Sequence, residues 1–176
     1  RQSQSPSRSR DADSSRVVEQ EVLVRSARTL IPDTRIDSGV TEPEYASAVD
    51  LARRIRRGDV SPVSVVEATF DRIDERDDVV NAFVHTRREA AREEARAAER
   101  AVDEGDPLGP LHGVPVALKD LDTEMAGVPC TFGSRPFRDH VAEETSAIVQ
   151  RLLDAGAIVV GTTNTPEMGH KGTCDN

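Results

Sequence analysis

The sequence predicts an α/β fold in which N-terminal helices pack on the start of a mixed, mainly parallel sheet. Apolar residues recur at helical spacing between Ala46 and Gly105, and two short apolar segments at 114–119 and 157–161 flank an amphipathic helix. A strand, a crossover helix and a second strand in one sheet pair in parallel. The continuous apolar run over 157–161 is typical of a strand that is covered on both faces.

The first predicted elements are two helices with clear end signals. Apolar residues run at helical spacing from Ala48 to Ile55, and Gly58 ends this helix after a turn rich in arginine. Ser61 is placed to cap the second helix, and Pro62 occupies its first position. The inward face of the second helix is predicted to consist of Val63, Val66, Phe70 and Ile73.

A short strand or extended link is predicted over 81–86, and a long helix over 87–104. The long helix has an alanine face, formed by Ala90, Ala91, Ala95, Ala98 and Ala101. Its other face pairs Glu89 with Arg92 and Glu93 with Arg96, and such pairs contribute only about 0.2–0.5 kcal/mol each. We interpret this charged face as a solvated surface and not as a polyanion site.

The second half begins with a strand over 114–119. Thr145 is then predicted to cap a helix that ends at Gly156. The inward residues of this helix are expected to be Ile148, Val149, Leu152 and Leu153. A strand over 157–161 and a turn at 162–164 complete the pattern, so the ends of both parallel strands are expected at one edge of the sheet.

Composition excludes several classes of protein. The chain has 176 residues, with 32 acidic and 23 basic side chains and a net charge of -9, so nucleic acid and anionic membrane surfaces are not expected partners. No stretch approaches the roughly 20 apolar residues of a membrane span, and residues at the start of the sequence lack the apolar core of a secretory signal. Two cysteines do not make a disulfide framework, which favours a cytoplasmic location.

The domain organisation is predicted to have two parts. Residues 1–40 open with a Ser/Arg/Pro-rich stretch and are expected to form a disordered extension, whereas 41–176 are expected to form the N-terminal part of a single domain. Both ends look like cuts, so we expect a fragment. The acidic excess and the scarcity of lysine fit a salt-adapted, halophilic cytoplasm, and high-GC codon bias explains the same scarcity equally well.

Lys119 is the strongest candidate for chemistry from the residues alone. It is one of only two lysines in the chain, with Lys171, and it ends a predicted buried strand. Desolvation disfavours the ammonium form, so a lysine in such a place can act as a base near neutral pH. Side chains alternate along a strand, which predicts that Val114, Val116 and Leu118 share one face, and that Asp120 faces away from Lys119.

Asn164 follows the second parallel strand and is open to two interpretations. It either orients the lysine or a substrate carbonyl, or it simply forms the turn.

Several ordered motifs occur at compatible spacing between Gly109 and Gly169. They are Gly-Pro-Leu-His-Gly-Val-Pro-Val at 109–116, Lys119-Asp120, Ala-Gly-Val-Pro at 126–129, Thr-Phe-Gly-Ser at 131–134, Asp-Ala-Gly-Ala at 154–157 and Gly-Thr-Thr-Asn-Thr-Pro-Glu at 161–167. In these motifs the chain resembles the amidase signature family of hydrolases. The resemblance covers roughly residues 42–176, and it implies the amidase signature fold in an incomplete form.

The resemblance implies cleavage of an amide C–N bond by a Ser/cis-Ser/Lys triad through an acyl-enzyme. Lys119 matches the triad lysine, which deprotonates the bridging serine. The glycine-rich double-serine segment of the family is expected beyond Asn176, so Lys119 is the one catalytic residue assigned here. Ser134 and Ser146 are the only serines after Lys119, and neither is expected to be the nucleophile.

The family pattern implies a small-molecule amide substrate and no cofactor. At position 162, where many members carry lysine, this chain has threonine, and we expect only a local effect on packing. A free-standing amidase is the first interpretation, with a homodimer as a possible assembly. The alternatives are the glutamine-hydrolysing A subunit of the tRNA-dependent amidotransferase, with its partner subunits, and a non-catalytic truncated fragment.

Other kinds of site have weaker support. No metal site is expected, because the chain's His112, Cys130, His170 and Cys174 lack paired ligand spacing. Nothing in the sequence marks a depressed thiol pKa at Cys130, so a thiol nucleophile is not expected either. We predict that the 176 residues alone have no amidase activity.

Overall fold

The computed structural model describes residues 46–174, and the predicted extension over 1–40 lies outside the described residues. Within residues 46–174, the main elements are four α-helices and three strands. They are α1 (Ala48–Arg56), α2 (Pro62–Val80), β1 (Phe83–Thr86), α3 (Arg88–Glu104), β2 (Pro115–Lys119), α4 (Ala147–Asp154) and β3 (Ile158–Thr163). None of the helices in this part of the chain combines the length and the apolarity that a membrane crossing requires.

The three strands form one mixed sheet in the order β1, β3, β2. The central strand, β3, runs antiparallel to β1 and parallel to β2. The predicted α/β fold with a mixed sheet is therefore confirmed, and β2, α4 and β3 form the expected crossover unit. The strand β3 continues to Thr163 because Thr162 pairs with His85 on one side and with Leu118 on the other, so Thr162 and Thr163 do not form the predicted turn.

Helices cover both faces of β3, as its continuous apolar run predicts. On one face, Ile158 and Val160 pack in a cluster with buried residues of α2 and α3. On the other face, Val159 packs with Leu118 and with Val149 of α4. The central strand is consequently buried over almost its whole length.

The predicted alternation along 114–119 is correct for Val116 and Leu118 but wrong for Val114. Val116 and Leu118 belong to the cluster formed with α4. Val114 packs instead with α1 and α2, beside Ile55 and Val65. The reason is that Val114 precedes the strand and follows Gly113, whose φ of +74° turns the chain, so the two-residue period of a strand begins only after it.

The cap of α2 is as predicted. The Ser61 hydroxyl accepts hydrogen bonds from the backbone N–H groups of Val63 (3.1 Å) and Ser64 (3.2 Å), and Pro62 opens the helix.

Two predictions about α4 are wrong. Ser146, not Thr145, is its N-cap, and the Thr145 hydroxyl accepts a hydrogen bond from the N–H of Ala126 at 3.1 Å. Ile148 is 56% exposed, because this short helix covers the sheet with a narrow stripe centred on Val149.

Candidate functional site

The motif at 109–116 holds the start of β2 against the turn between α4 and β3. The N–H of Leu111 donates to the carbonyl of Ala155 at 2.8 Å, and the N–H of Gly113 donates to the carbonyl of Gly156 at 2.9 Å. A Cβ atom on Gly109 would lie only 2.3 Å from the Ala155 oxygen, so a side chain cannot be accommodated there. This motif therefore positions β2 and contributes no reactive group of its own.

Lys119 ends β2 and pairs in register with Thr163 at the end of β3. The prediction that this lysine lies at the carboxyl edge of a parallel strand pair is confirmed. Its carbonyl oxygen accepts a hydrogen bond from the Thr123 hydroxyl at 2.5 Å. The Lys119 side chain is exposed, so residues 46–174 do not supply the desolvation that we expected around it.

Asp120 points to the opposite side of the strand end, as the alternation predicts. Its side chain is buried, with 1% of the residue exposed. One carboxylate oxygen accepts from the N–H of Thr131 at 2.6 Å, and the other accepts from the Thr131 hydroxyl and, at 3.4 Å, from the N–H of Gly133. The N–H of Asp120 donates to the carbonyl of Thr163 at 2.9 Å. We call the contacts of Asp120 with Thr131 and Gly133 the Asp120 clasp.

The loop that Asp120 holds is bonded in turn to the segment after β3. The Ser134 hydroxyl donates to the Glu167 carboxylate at 2.8 Å, and the N–H of Met168 donates to the carbonyl of Phe132 at 2.8 Å. A Cβ atom on Gly133 would lie 2.3 Å from the carbonyl oxygen of Thr165. The chain segments that follow the two parallel strands are thus joined to each other.

Asn164 has a structural role in the described residues. Its side-chain amide donates to the carbonyl of Asn81 at 2.6 Å, and its N–H donates to the carbonyl of Ala82 at 2.7 Å. These bonds tie the end of β3 to the connection between α2 and β1. Of the two roles that the sequence left open, the contacts support the one in turn formation.

Cys130 is poorly suited to act as a nucleophile. Burial raises the pKa of the Cys130 thiol to about 11, and the negative charge of Asp120 contributes to this rise. Because the thiolate is the reactive form, this cysteine is almost entirely protonated near neutral pH.

Of the four histidine and cysteine side chains considered as metal ligands, His112 and Cys130 contact other groups. The His112 ring nitrogen Nε2 lies 2.9 Å from the carbonyl oxygen of Ala98, and Cys130 is buried beside Asp120. Within residues 46–174, no group of three or more potential ligand side chains is arranged to hold a metal ion.

The sequence predicts that Asp120 faces away from Lys119 but does not reveal the partners of its side chain. Thr131 and Gly133 lie 11 and 13 residues further along the chain, beyond the range of any helical or strand period. Glu167 was present in a recognised motif without a role. The strand period places Asp120 on the same face as the apolar Val116 and Leu118. A carboxylate on such a face requires hydrogen-bond donors from elsewhere in the chain, and this is the sequence signal that points to the clasp.

A parallel strand pair joined by a crossover helix is a unit of α/β folds, in which ligands bind beyond the carboxyl ends of the strands. The sequence model of the family described as Amidase matches residues 64–176. The chain therefore belongs to the amidase signature family.

Two curated relatives illustrate the match. The acylamidase of Rhodococcus erythropolis is 39% identical over 132 residues, which cover 75% of this chain and 28% of that protein. The A subunit of the glutamyl-tRNA(Gln) amidotransferase of Salinispora tropica is 46% identical over 128 residues, covering 73% of this chain and 26% of the relative. The chain thus spans about a quarter of the length of these relatives.

Solved structures agree with the family assignment. A bacterial aryl acylamidase of the amidase signature family superposes with a TM-score of 0.72 at 35% identity, covering 77% of this chain and 28% of that structure. A 6-aminohexanoate cyclic dimer hydrolase superposes with a TM-score of 0.67 at 30% identity, covering 77% and 26%. The amidase signature fold is therefore shared in structure as well as in sequence.

Proposed function

We propose that this protein is an amide hydrolase in which Lys119 acts as the base of a Ser/cis-Ser/Lys triad. The observation that carries the proposal is the place of Lys119 at the carboxyl edge of the β2–β3 pair, with the neighbouring Asp120 turned to the other side. A carboxylate beside the amine would favour its protonated form, and the clasp keeps this carboxylate occupied elsewhere.

In the proposed reaction, the neutral amine of Lys119 takes a proton from a bridging serine, which takes one from the nucleophilic serine. The nucleophilic serine attacks the amide carbonyl, and the amine of the substrate leaves with the proton that Lys119 returns through the bridging serine. Water then hydrolyses the acyl-enzyme. Ser134 donates to Glu167, and Ser146 begins α4, so neither is assigned as nucleophile. Both serines of the triad would come from residues other than these 176, and the 176 residues alone would be inactive.

The two lysines provide a matched test of this proposal. We expect K119M to lower the turnover of an aryl amide by the native gene product about a hundred- to ten-thousandfold, the usual contribution of a general base. The control K171M removes the other, exposed lysine and is expected to leave turnover unchanged. Turnover of K119M at the wild-type rate would overturn the assignment of Lys119 as the base. Lys119-dependent turnover by the purified 176 residues would overturn the prediction that these residues alone are inactive.

A second candidate function is that of the A subunit in a tRNA-dependent amidotransferase, which the identity to the Salinispora tropica protein favours. Ammonia release from glutamine distinguishes the two candidates when it is measured with and without the partner subunits. An amidase is expected to hydrolyse aryl amides alone, whereas the amidotransferase component is expected to need its partners. Absence of both activities would instead support a non-catalytic product.

A further inference from the structure

We infer that Asp120 is a positioning residue that fixes the direction in which the Lys119 side chain projects from the strand. This inference rests on the proposed function of Lys119 as the base. The Asp120 clasp lies on the side of β2 opposite the lysine, so Asp120 acts through the backbone and not through contact with the amine.

The peptide unit between Lys119 and Asp120 is held from both sides. The carbonyl of Lys119 accepts from the Thr123 hydroxyl, and the N–H of Asp120 donates to the carbonyl of Thr163. The Asp120 side chain is then anchored to the loop at Thr131. Because successive side chains of a strand point to opposite faces, an anchored Asp120 determines the direction of the Cα–Cβ bond of Lys119.

The chemistry of the clasp requires a carboxylate and not merely a polar residue of the same size. Both oxygens accept hydrogen bonds, and three donors converge on them. Asparagine has one accepting oxygen and one NH2 group. Its NH2 group would face at least one of these donors, and two donors cannot form a hydrogen bond with each other. A buried carboxylate is unfavourable unless such donors are kept, which makes the geometry of the clasp strict.

The clasp also connects Lys119 to the end of the neighbouring strand. The loop that Asp120 binds is bonded to the segment after β3 through Ser134 and Glu167. Loosening the clasp would release the end of β2 from the loop and from the contacts that the loop makes with Glu167, so that only the backbone bond to Thr163 would hold Asp120 in place. A shift of about 1 Å in the position of a catalytic lysine relative to the reacting hydroxyl can slow the reaction about a hundredfold.

The test uses D120N in the native gene product, with D122N as the matched control. Asp122 lies two residues away and has a φ of +59°, which asparagine also adopts readily. We expect D120N to lower kcat about a hundredfold with KM changed less than about twofold, since binding groups remain in place. We also expect a changed pH profile of kcat, and wild-type behaviour for D122N.

Thr131 provides a second, milder pair of variants in case D120N does not fold. T131V removes one hydroxyl from the clasp and keeps the branched shape, whereas T131S restores the hydroxyl. We expect kcat to fall in T131V and to return towards wild type in T131S. A role in loop stability alone would lower the melting temperature of T131V and leave the kcat and pH profile of the folded enzyme unchanged, which would overturn the positioning role.

Alkylation of Cys130, followed by peptide mass spectrometry, reports the clasp independently of activity. This cysteine is buried beside Asp120, so its labelling is expected to accelerate when the clasp opens in T131V, a variant that keeps the Asp120 charge that also raises the pKa of the thiol. Faster labelling with unchanged kcat and pH profile would overturn the positioning role. Full activity of K119M, measured in parallel, would instead overturn the proposed function, so the two failures are distinguishable.

Discussion

A Cβ atom built on Gly161 in β3 would lie 2.3 Å from the carbonyl oxygen of His85 in β1. The obstructing atom belongs to the backbone, so it cannot move without shifting the whole strand. The register of the β1–β3 pair is irregular between Phe83 and His85, next to this close approach. The absence of a side chain at position 161 is therefore a condition for β1 to join the sheet.

We predict that G161A destabilises the protein by about 1–3 kcal/mol, because the added methyl group must push β1 away from β3. The free energy of unfolding in urea measures this effect. The control is G172A, since a Cβ atom at Gly172 would meet nothing within 4 Å. Equal unfolding midpoints for G161A and G172A would contradict the predicted clash.

The N-cap of α2 leads to a second prediction. The Ser61 hydroxyl accepts from two N–H groups of the first turn and donates to the Glu99 carboxylate of α3 at 2.5 Å. We expect S61A to lower the free energy of unfolding by about 0.5–2 kcal/mol. The control S64A changes an exposed serine in the same turn. If S64A lowered the free energy of unfolding as much as S61A does, the cap would not be responsible for the loss.

Cys130 and Cys174 should differ strongly in reactivity. Cys174 is exposed, whereas Cys130 is buried with a pKa of about 11. At pH 8 a thiol of this pKa is about 0.1% thiolate, so we expect iodoacetamide to label Cys174 long before Cys130. The labelling rate of Cys130 should rise with pH until about pH 11. Comparable rates for both thiols at pH 8 would contradict the described burial.

The pair of Glu67 and Arg92 should give the stability a dependence on pH. The hydrogen bond from the Arg92 guanidinium, with Nε at 2.8 Å, lowers the pKa of the Glu67 carboxyl despite partial burial. A carboxyl whose pKa is lowered in the folded state stabilises above its unfolded pKa, and this stabilisation is lost as the pH falls through the folded pKa. The effect is small, because the Glu67 side chain is 40% exposed.

We therefore expect E67Q to melt slightly below wild type at pH 7. The difference should begin to shrink near the unfolded pKa of glutamate, about 4.3, and should vanish below the lower pKa of the folded state. The matched control is E89Q, which removes a second carboxylate that contacts Arg92 but is 90% exposed. We expect little change for E89Q. A difference between E67Q and wild type that persists undiminished at pH 3 would contradict the assignment.

Local patterns predicted the helices and strands well wherever the deciding contacts are close in sequence. The end signals of α2, Ser61 and Pro62, act within one turn and were read correctly. The cap of α4 was read wrongly, because the Thr145 hydroxyl is taken by the N–H of Ala126, which lies 19 residues earlier. The exposure of Ile148 likewise depends on how much of the sheet the helix covers.

The sequence by itself determined the fold class, the family and the place of Lys119 at the end of a strand, because helix periods, strand periods and turn residues are local and the motifs are ordered along the chain. Only the tertiary structure decided that Asp120 binds Thr131, that Asn164 joins Asn81 and that Lys119 is exposed in residues 46–174. The physical reason is that burial and hydrogen-bond partners depend on atoms brought together from distant positions, which no local period encodes.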